Sequence, residues 1–155
     1  MREIEFRIKY REDWYYGIPL SRIKNNTVAF QSYDGNYYEL FADAKTLGQF
    51  TGLKDKNGKK IYEGDIVRQQ SFGKLNSNYK SEKEKKNHKK YLIKKCKCIF
   101  DDDENYHKNR DYVVEYKDAR FYPFADDNFE WGEYNWDSPV EIIGNIYDNP
   151  NLIGE

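Results

Sequence analysis

The chain has 155 residues and a formal net charge of −1, which suits one domain with at most a small satellite and excludes a partner chosen by global charge. It contains no apolar run approaching the roughly 18 residues of a membrane-spanning helix, and its two Cys, without a secretory signal, read as reduced thiols of a cytoplasmic protein. Aromatic residues make up 17% of it, with 15 Tyr, so the expected fold is mainly β with little helix, and its rings sit half-buried with an outlet for each OH or NH.

Arg2 to Tyr10 alternates: Ile4, Phe6, Ile8 and Tyr10 share one face, and Glu3, Glu5, Arg7 and Lys9 the other. That is a half-buried strand, and its charges exclude a signal peptide. Trp14 to Leu20 is a loop or short strand punctuated by Gly17 and Pro19. Thr27 to Tyr33 and Tyr37 to Phe41 are strands joined through the hairpin signal Asp34-Gly35. Asp43 to Gly48 forms one helical turn, capped by Asp43 and ended by Gly48. Gln49 to Val67 reads QFTGLKDKNGKKIYEGDIV. Its Asn57-Gly58 predicts a type I′ turn that carries Asp55 to Lys60 into solvent. Glu63-Gly64-Asp65 predicts a second tight turn or bulge before a strand over Ile66 to Gln70. Strands this short, with turns this close, predict a small barrel of SH3 or OB size.

Ser71 to Lys90 is polar, Lys-rich and without a clear apolar period. Tyr91 to Phe100 returns to strand composition, Asp101 to Arg110 is an acidic connector, and Asp111 to Lys117 is a strand. Phe121 to Phe124, around Pro123, suits a sheet edge. Asp126 to Ser138 is acidic, Val140 to Tyr147 is apolar, and Asn149-Pro150 closes the chain. The expected organisation is one domain over residues 1–155. An N-terminal β-hairpin subdomain takes residues 1–48, and a barrel takes 49–155 with a Lys-rich insertion at 71–90.

Four features invite chemistry. Lys74 to Lys97 holds ten Lys against two Glu and no Arg. Read functionally, it is a basic arm that contacts nucleic-acid phosphates through Lys83, Lys85, Lys86, Lys89 and Lys90, with Tyr91 or Tyr79 stacking on bases. Read plainly, it is a solvated loop, or one paired with the chain's own acidic surface. Cys96-x-Cys98 puts both sulfurs on one strand face, but zinc needs two more ligands, and His88 and His107 lack paired spacing. Asp101, Asp103 and Asn105 begin like a calcium loop, yet Tyr106 and Tyr112 occupy the glycine and bidentate-Glu positions. Asp126, Asp127, Glu130, Glu133 and Asp137 alternate with Phe129, Trp131, Tyr134 and Trp136. Carboxylates beside aromatics suit a glycosidase, but Trp131, Tyr134 and Trp136 read better as anchors for a protein contact. Gly52, Gly58 and Gly64 sit in turns and serve the backbone. With no nucleophile, metal or nucleotide motif, the expectation is a protein that is not an enzyme and uses no cofactor.

Four blocks of the sequence resemble the YopX family of phage and prophage proteins. They are the N-terminal MREIEFR, Gln49 to Val67, Val114-Glu115-Tyr116-Lys117-Asp118, and Glu141 to Pro150. The resemblance implies a mainly β protein encoded by a phage or prophage, working in the bacterial cytoplasm. The expected function is a non-catalytic module that binds a host or phage protein or self-associates, with nucleic-acid binding through the Lys-rich arm as the alternative. The likeness lapses at Ser71 to Lys90 and from Phe124 to Ser138, so a site is expected there, and Gln49 to Val67 is expected to serve the fold alone.

Overall fold

A computed structural model describes residues 3–23, 25–33, 39–126, 129 and 140–154. Twelve strands and one α-helix occur among them, so the chain is mainly β. Two compact units are present: residues 1–67 with 112–155, and residues 68–111.

In the first unit, strands β1 (Phe6–Tyr10), β2 (Asp13–Ile23), β3 (Thr27–Ser32), β4 (Glu39–Asp43), β5 (Gly48–Lys54) and β6 (Lys60–Tyr62) form a six-stranded sheet ordered β4-β3-β2-β1-β5-β6. The alternation read in the first ten residues has a cause: Ile8 is fully buried in a cluster with Val28, Phe30 and Ala42, and Phe6 and Tyr10 pack against it. Ile4, placed on that face by the same period, is instead exposed. Gly17 and Pro19 do not interrupt β2. Gly17 lies so close to β3 that a Cβ there would stand 1.8 Å from the Gln31 carbonyl oxygen, and the register shifts between Pro19 and Ser21 absorb the proline as a bulge. Asp43 caps a 3-10 turn over Ala44–Thr46 by accepting from the Lys45 N–H at 2.9 Å. Asp34-Gly35 lies outside the described residues.

The turn at Asn57-Gly58 departs from the expected type. Gly58 has φ +79°, but Asn57 is not in the left-handed region, so the loop is not type I′, which needs both. Asp55 decides this. Its carboxylate accepts from the N–H groups of Asn57 and Lys59, each at 2.9 Å, and from Ile142 at 3.2 Å. A side chain that satisfies three backbone donors belongs inside, and Asp55 is buried rather than projecting into solvent. Gly64, with φ +85°, makes the second turn, after which β7 (Asp65–Lys74) begins.

The rest of this unit is a two-stranded sheet, β10 (Glu115–Lys117) with β11 (Arg120–Tyr122), and β12 (Val140–Asn145), which lies beside β7. Ile61, Val67, Val114, Phe121, Phe124, Phe129 and Val140 form its second buried cluster. Among the described residues the sheets are open, and the expected closed barrel does not form. The six-stranded sheet ends on β4 and β6, and β6, only three residues long beside a broken register with β5, offers too little backbone to close it.

The chain enters the second unit along β7 and leaves it along β9 (Asn105–Val113), with β8 (Ile99–Phe100) on the other side of β9. Between them, where a solvated loop and then a strand were expected, stands helix α1 (Glu82–Lys94). Ser81 caps it by accepting from the Glu84 N–H at 3.2 Å, while the Glu84 carboxylate accepts from the Lys80 N–H at 2.8 Å. Leu92 is its buried contact, packed with Leu75 and Cys98. Cys96 and Cys98 lie past its end, in no strand.

The close approach at Gly17 is expected to matter more for stability than the left-handed turn at Gly58. In denaturant unfolding, G58A loses about 1 kcal/mol, because only backbone strain is added and open space surrounds the site. G17A loses more than the roughly 1–3 kcal/mol of ordinary overpacking, because its Cβ meets backbone.

Candidate functional site

The strand face assigned to solvent in β1 is not a solvated face. Glu5, Arg7, Trp14, Tyr16, Lys59, Lys60, Tyr62 and Asp65 line a cleft of 580 Å³ in the first unit, with Ile142 to Asn145 of β12, Asp148 and Asn149 completing its wall. The volume falls within the range of ligand pockets. Antiparallel pairing of β1 with β2 sets Arg7 opposite Tyr16 and Lys9 opposite Trp14, so the four side chains share a face.

Arg7 is the centre of the cleft. It is buried, as is Asp65, and its Nη2 donates to the Asp65 carboxylate at 2.6 Å and to the Glu63 carbonyl at 3.3 Å. Its guanidinium lies 4.5 Å from the Trp14 ring centroid and 5.0 Å from that of Tyr62, a cation held between two π faces. Its Nε is buried without a hydrogen-bond partner among the described residues. Burial pushes the Asp65 carboxyl above its ordinary range, against the pull of the Arg7 charge and of the Tyr62 N–H, which donates to it at 2.8 Å.

Two further carboxylates are tied down around the rim. Lys60 donates to Glu5 at 2.7 Å and to Glu3 at 2.6 Å, and the Tyr62 hydroxyl donates to Glu5. Burial raises the Glu5 carboxyl, but those bonds from Lys60 and Tyr62 outweigh it and hold Glu5 below its usual range. Burial and the Glu5 bond push the Tyr62 hydroxyl far above the usual tyrosine range. Asp148 accepts from Asn145 Nδ2 and Trp14 Nε1, each at 2.8 Å, and from Lys9. Together these bonds hold its carboxyl at about 2.

The arrangement therefore gives every carboxylate of the cleft a donor, and offers an incoming group aromatic faces and a buried guanidinium. Sequence reasoning missed it because it pairs residues 58 positions apart in the chain. The available signal was three of the blocks that carry the family resemblance. MREIEFR supplies Glu5 and Arg7, Gln49 to Val67 supplies Lys59 to Asp65, and the C-terminal block supplies Ile142 to Asn149. Gln49 to Val67 therefore contributes to a cleft as well as to the fold.

The residues singled out from sequence lie elsewhere. Lys83, Lys85, Lys86, Lys89, Lys90 and Tyr91 are on α1 in the second unit. Trp131, Tyr134 and Trp136 are outside the described residues, as are Asp127, Glu130, Glu133 and Asp137. Phe129 is buried in the core, and Asp126 is exposed. Asp102 accepts from the N–H groups of Glu104 and Asn105 and from Asn105 Nδ2, which hold its carboxyl at about 2. That is a self-satisfied turn. Among the described residues no cluster of three metal-binding side chains occurs, and no helix is long and apolar enough to cross a membrane.

A family model described as YopX protein matches residues 5–154. The crystal structure of protein EF1440 from Enterococcus faecalis is similar over 99% of this chain and 100% of that one, with a TM-score of 0.52 and 21% sequence identity. That likeness is one of fold. No curated protein matches the chain.

The low value at Asp148 makes stability depend on pH with a definite sign. Its ionised form is favoured in the folded state, so the unfolded chain takes up the proton first. Stability is present above the ordinary Asp value of 3.8 and is lost as pH falls toward about 2. Thermal unfolding across that window is expected to fall more steeply for the wild type than for D148N.

Proposed function

The chain belongs to the YopX family, and on that premise we propose that it is a phage- or prophage-encoded, non-catalytic protein-binding module that acts in the bacterial cytoplasm. The observation that carries this reading is the wall of the cleft: Arg7, Trp14, Tyr16 and Tyr62. Arg, Trp and Tyr are the residue types that supply most binding energy in protein contacts. Here they converge on one concavity, so an apolar or aromatic side chain of a partner strand or loop can be seated there.

The commitments of the carboxylates support binding over catalysis. A general acid or base must exchange a proton with a substrate. Glu5, Asp65 and Asp148 each accept hydrogen bonds from groups that hold the cleft together. The partner is a host or phage protein, or a second copy of the chain.

Selection from a displayed random-peptide library tests this. Peptides enriched on the wild type are expected to bind Y16A at least about tenfold more weakly, as for loss of an interface anchor, because Tyr16 is the exposed ring of the cleft. Peptides that bind Y16A equally well, or a monomer that enriches none, would contradict the reading.

A further inference from the structure

The structure sorts the lysines of α1 into two sets with different partners. Lys85 and Lys89 are half-buried and face acids of their own unit, Glu104 at 4.0 Å and Asp103 at 3.5 Å. Lys89 also lies 4.5 Å from the Phe100 ring centroid. Lys83, Lys86, Lys90 and Lys94 are exposed and make no ion pair with a described residue. At about 100° per residue these four fall within an arc of about 80°, on the side opposite the buried Leu92. They form a straight row about 16 Å long, with a charge every 4–6 Å or so.

We propose that this row is a docking surface for the phosphate backbone of duplex DNA, bound without regard to sequence. It is an activity separate from the protein-binding cleft. Charge complementarity is the argument. The second unit carries thirteen Lys and Arg against seven Asp and Glu, and four of its positive charges are left on one rigid line. Lysine binds phosphate as a point charge, and a regular row of point charges suits a regular row of phosphates. The surrounding residues argue against other polyanions. A membrane-surface helix needs an apolar stripe beside its lysines, but Leu92 is spent on Leu75 and Cys98. The exposed Tyr91 and Ile93 fall on opposite flanks of the row, about 160° apart, and form no stripe. Single strands are held mainly by stacking platforms, and Tyr91 is the one exposed Phe, Tyr or Trp ring of the helix.

Fluorescence anisotropy of the full chain with a duplex of about 30 base pairs, titrated at several salt concentrations, reads the contacts directly. Four phosphate contacts predict a slope of about −3.6 in log K against log salt. That is a loss of about a hundredfold between about 50 and about 200 mM. K83Q/K86Q/K90Q/K94Q is expected to flatten the slope to near zero while keeping its helical circular dichroism. K85Q/K89Q is expected to keep the wild-type slope. The proposal is overturned if the wild type does not bind at low salt, or if the quadruple variant keeps the slope. It is likewise overturned if K85Q/K89Q flattens the slope as far, or if anionic vesicles or single strands bind more tightly than the duplex.

Discussion

The first unit is organised around one buried ion pair. Arg7 and Asp65 come from opposite ends of the chain's β-rich N-terminal half, 58 residues apart, and meet at 2.6 Å with almost no access to water. Burying either charge alone costs several kcal/mol, so neither can leave while the other stays. That mutual requirement fixes β1 against the start of β7. Asp65 in turn takes the Tyr62 N–H, and Arg7 holds the Glu63 carbonyl. The tight turn at Gly64 is thus gripped from both sides. Trp14 and Tyr62 close over the guanidinium, so the geometry of the cleft is set by the same pair.

Local patterns in the sequence predict much of this fold. Alternation places β1 and its buried Ile8, and the glycine turns place the ends of β6 and the start of β7. What alternation cannot tell is whether the second face of a strand meets water. β1 is an interior strand, between β2 and β5. Its polar face is covered by Trp14, Tyr16 and Tyr62, and Arg7 on that face is as buried as a core residue. The acid that makes this tolerable lies 58 residues away, beyond the reach of any local pattern. Asp55 misleads in the same way. Its polarity points to solvent, but three backbone donors pull it inside.

Helix α1 has a start signal in the sequence but no apolar period to extend it. Tyr91-Leu92-Ile93 has strand composition, and the ten lysines around it hide any apolar period. The start signal is Ser81-Glu82-Lys83-Glu84, a capping-box sequence, of which the structure forms the Ser81 half, while Glu84 reaches one residue further back to the Lys80 N–H. The acids that divide the lysines into two sets come from the Asp101 to Asn105 turn, whose own geometry is set by Asp102. The exposed row on α1 therefore depends on a turn that composition alone reads as a plain acidic connector. The cleft draws on three of the four blocks that carry the family resemblance, whereas the lysine row lies outside all four, although the family model spans it.

Arg7 and Asp65 hold each other in place. A double-mutant cycle in denaturant unfolding, using R7M, D65L and R7M/D65L, measures this directly. Each single variant leaves a buried charge without its partner and is expected to cost about 3–5 kcal/mol. The double variant is expected to cost clearly less than the sum, with a coupling of at least about 2 kcal/mol. Strict additivity of the two single losses would show that neither residue holds the other.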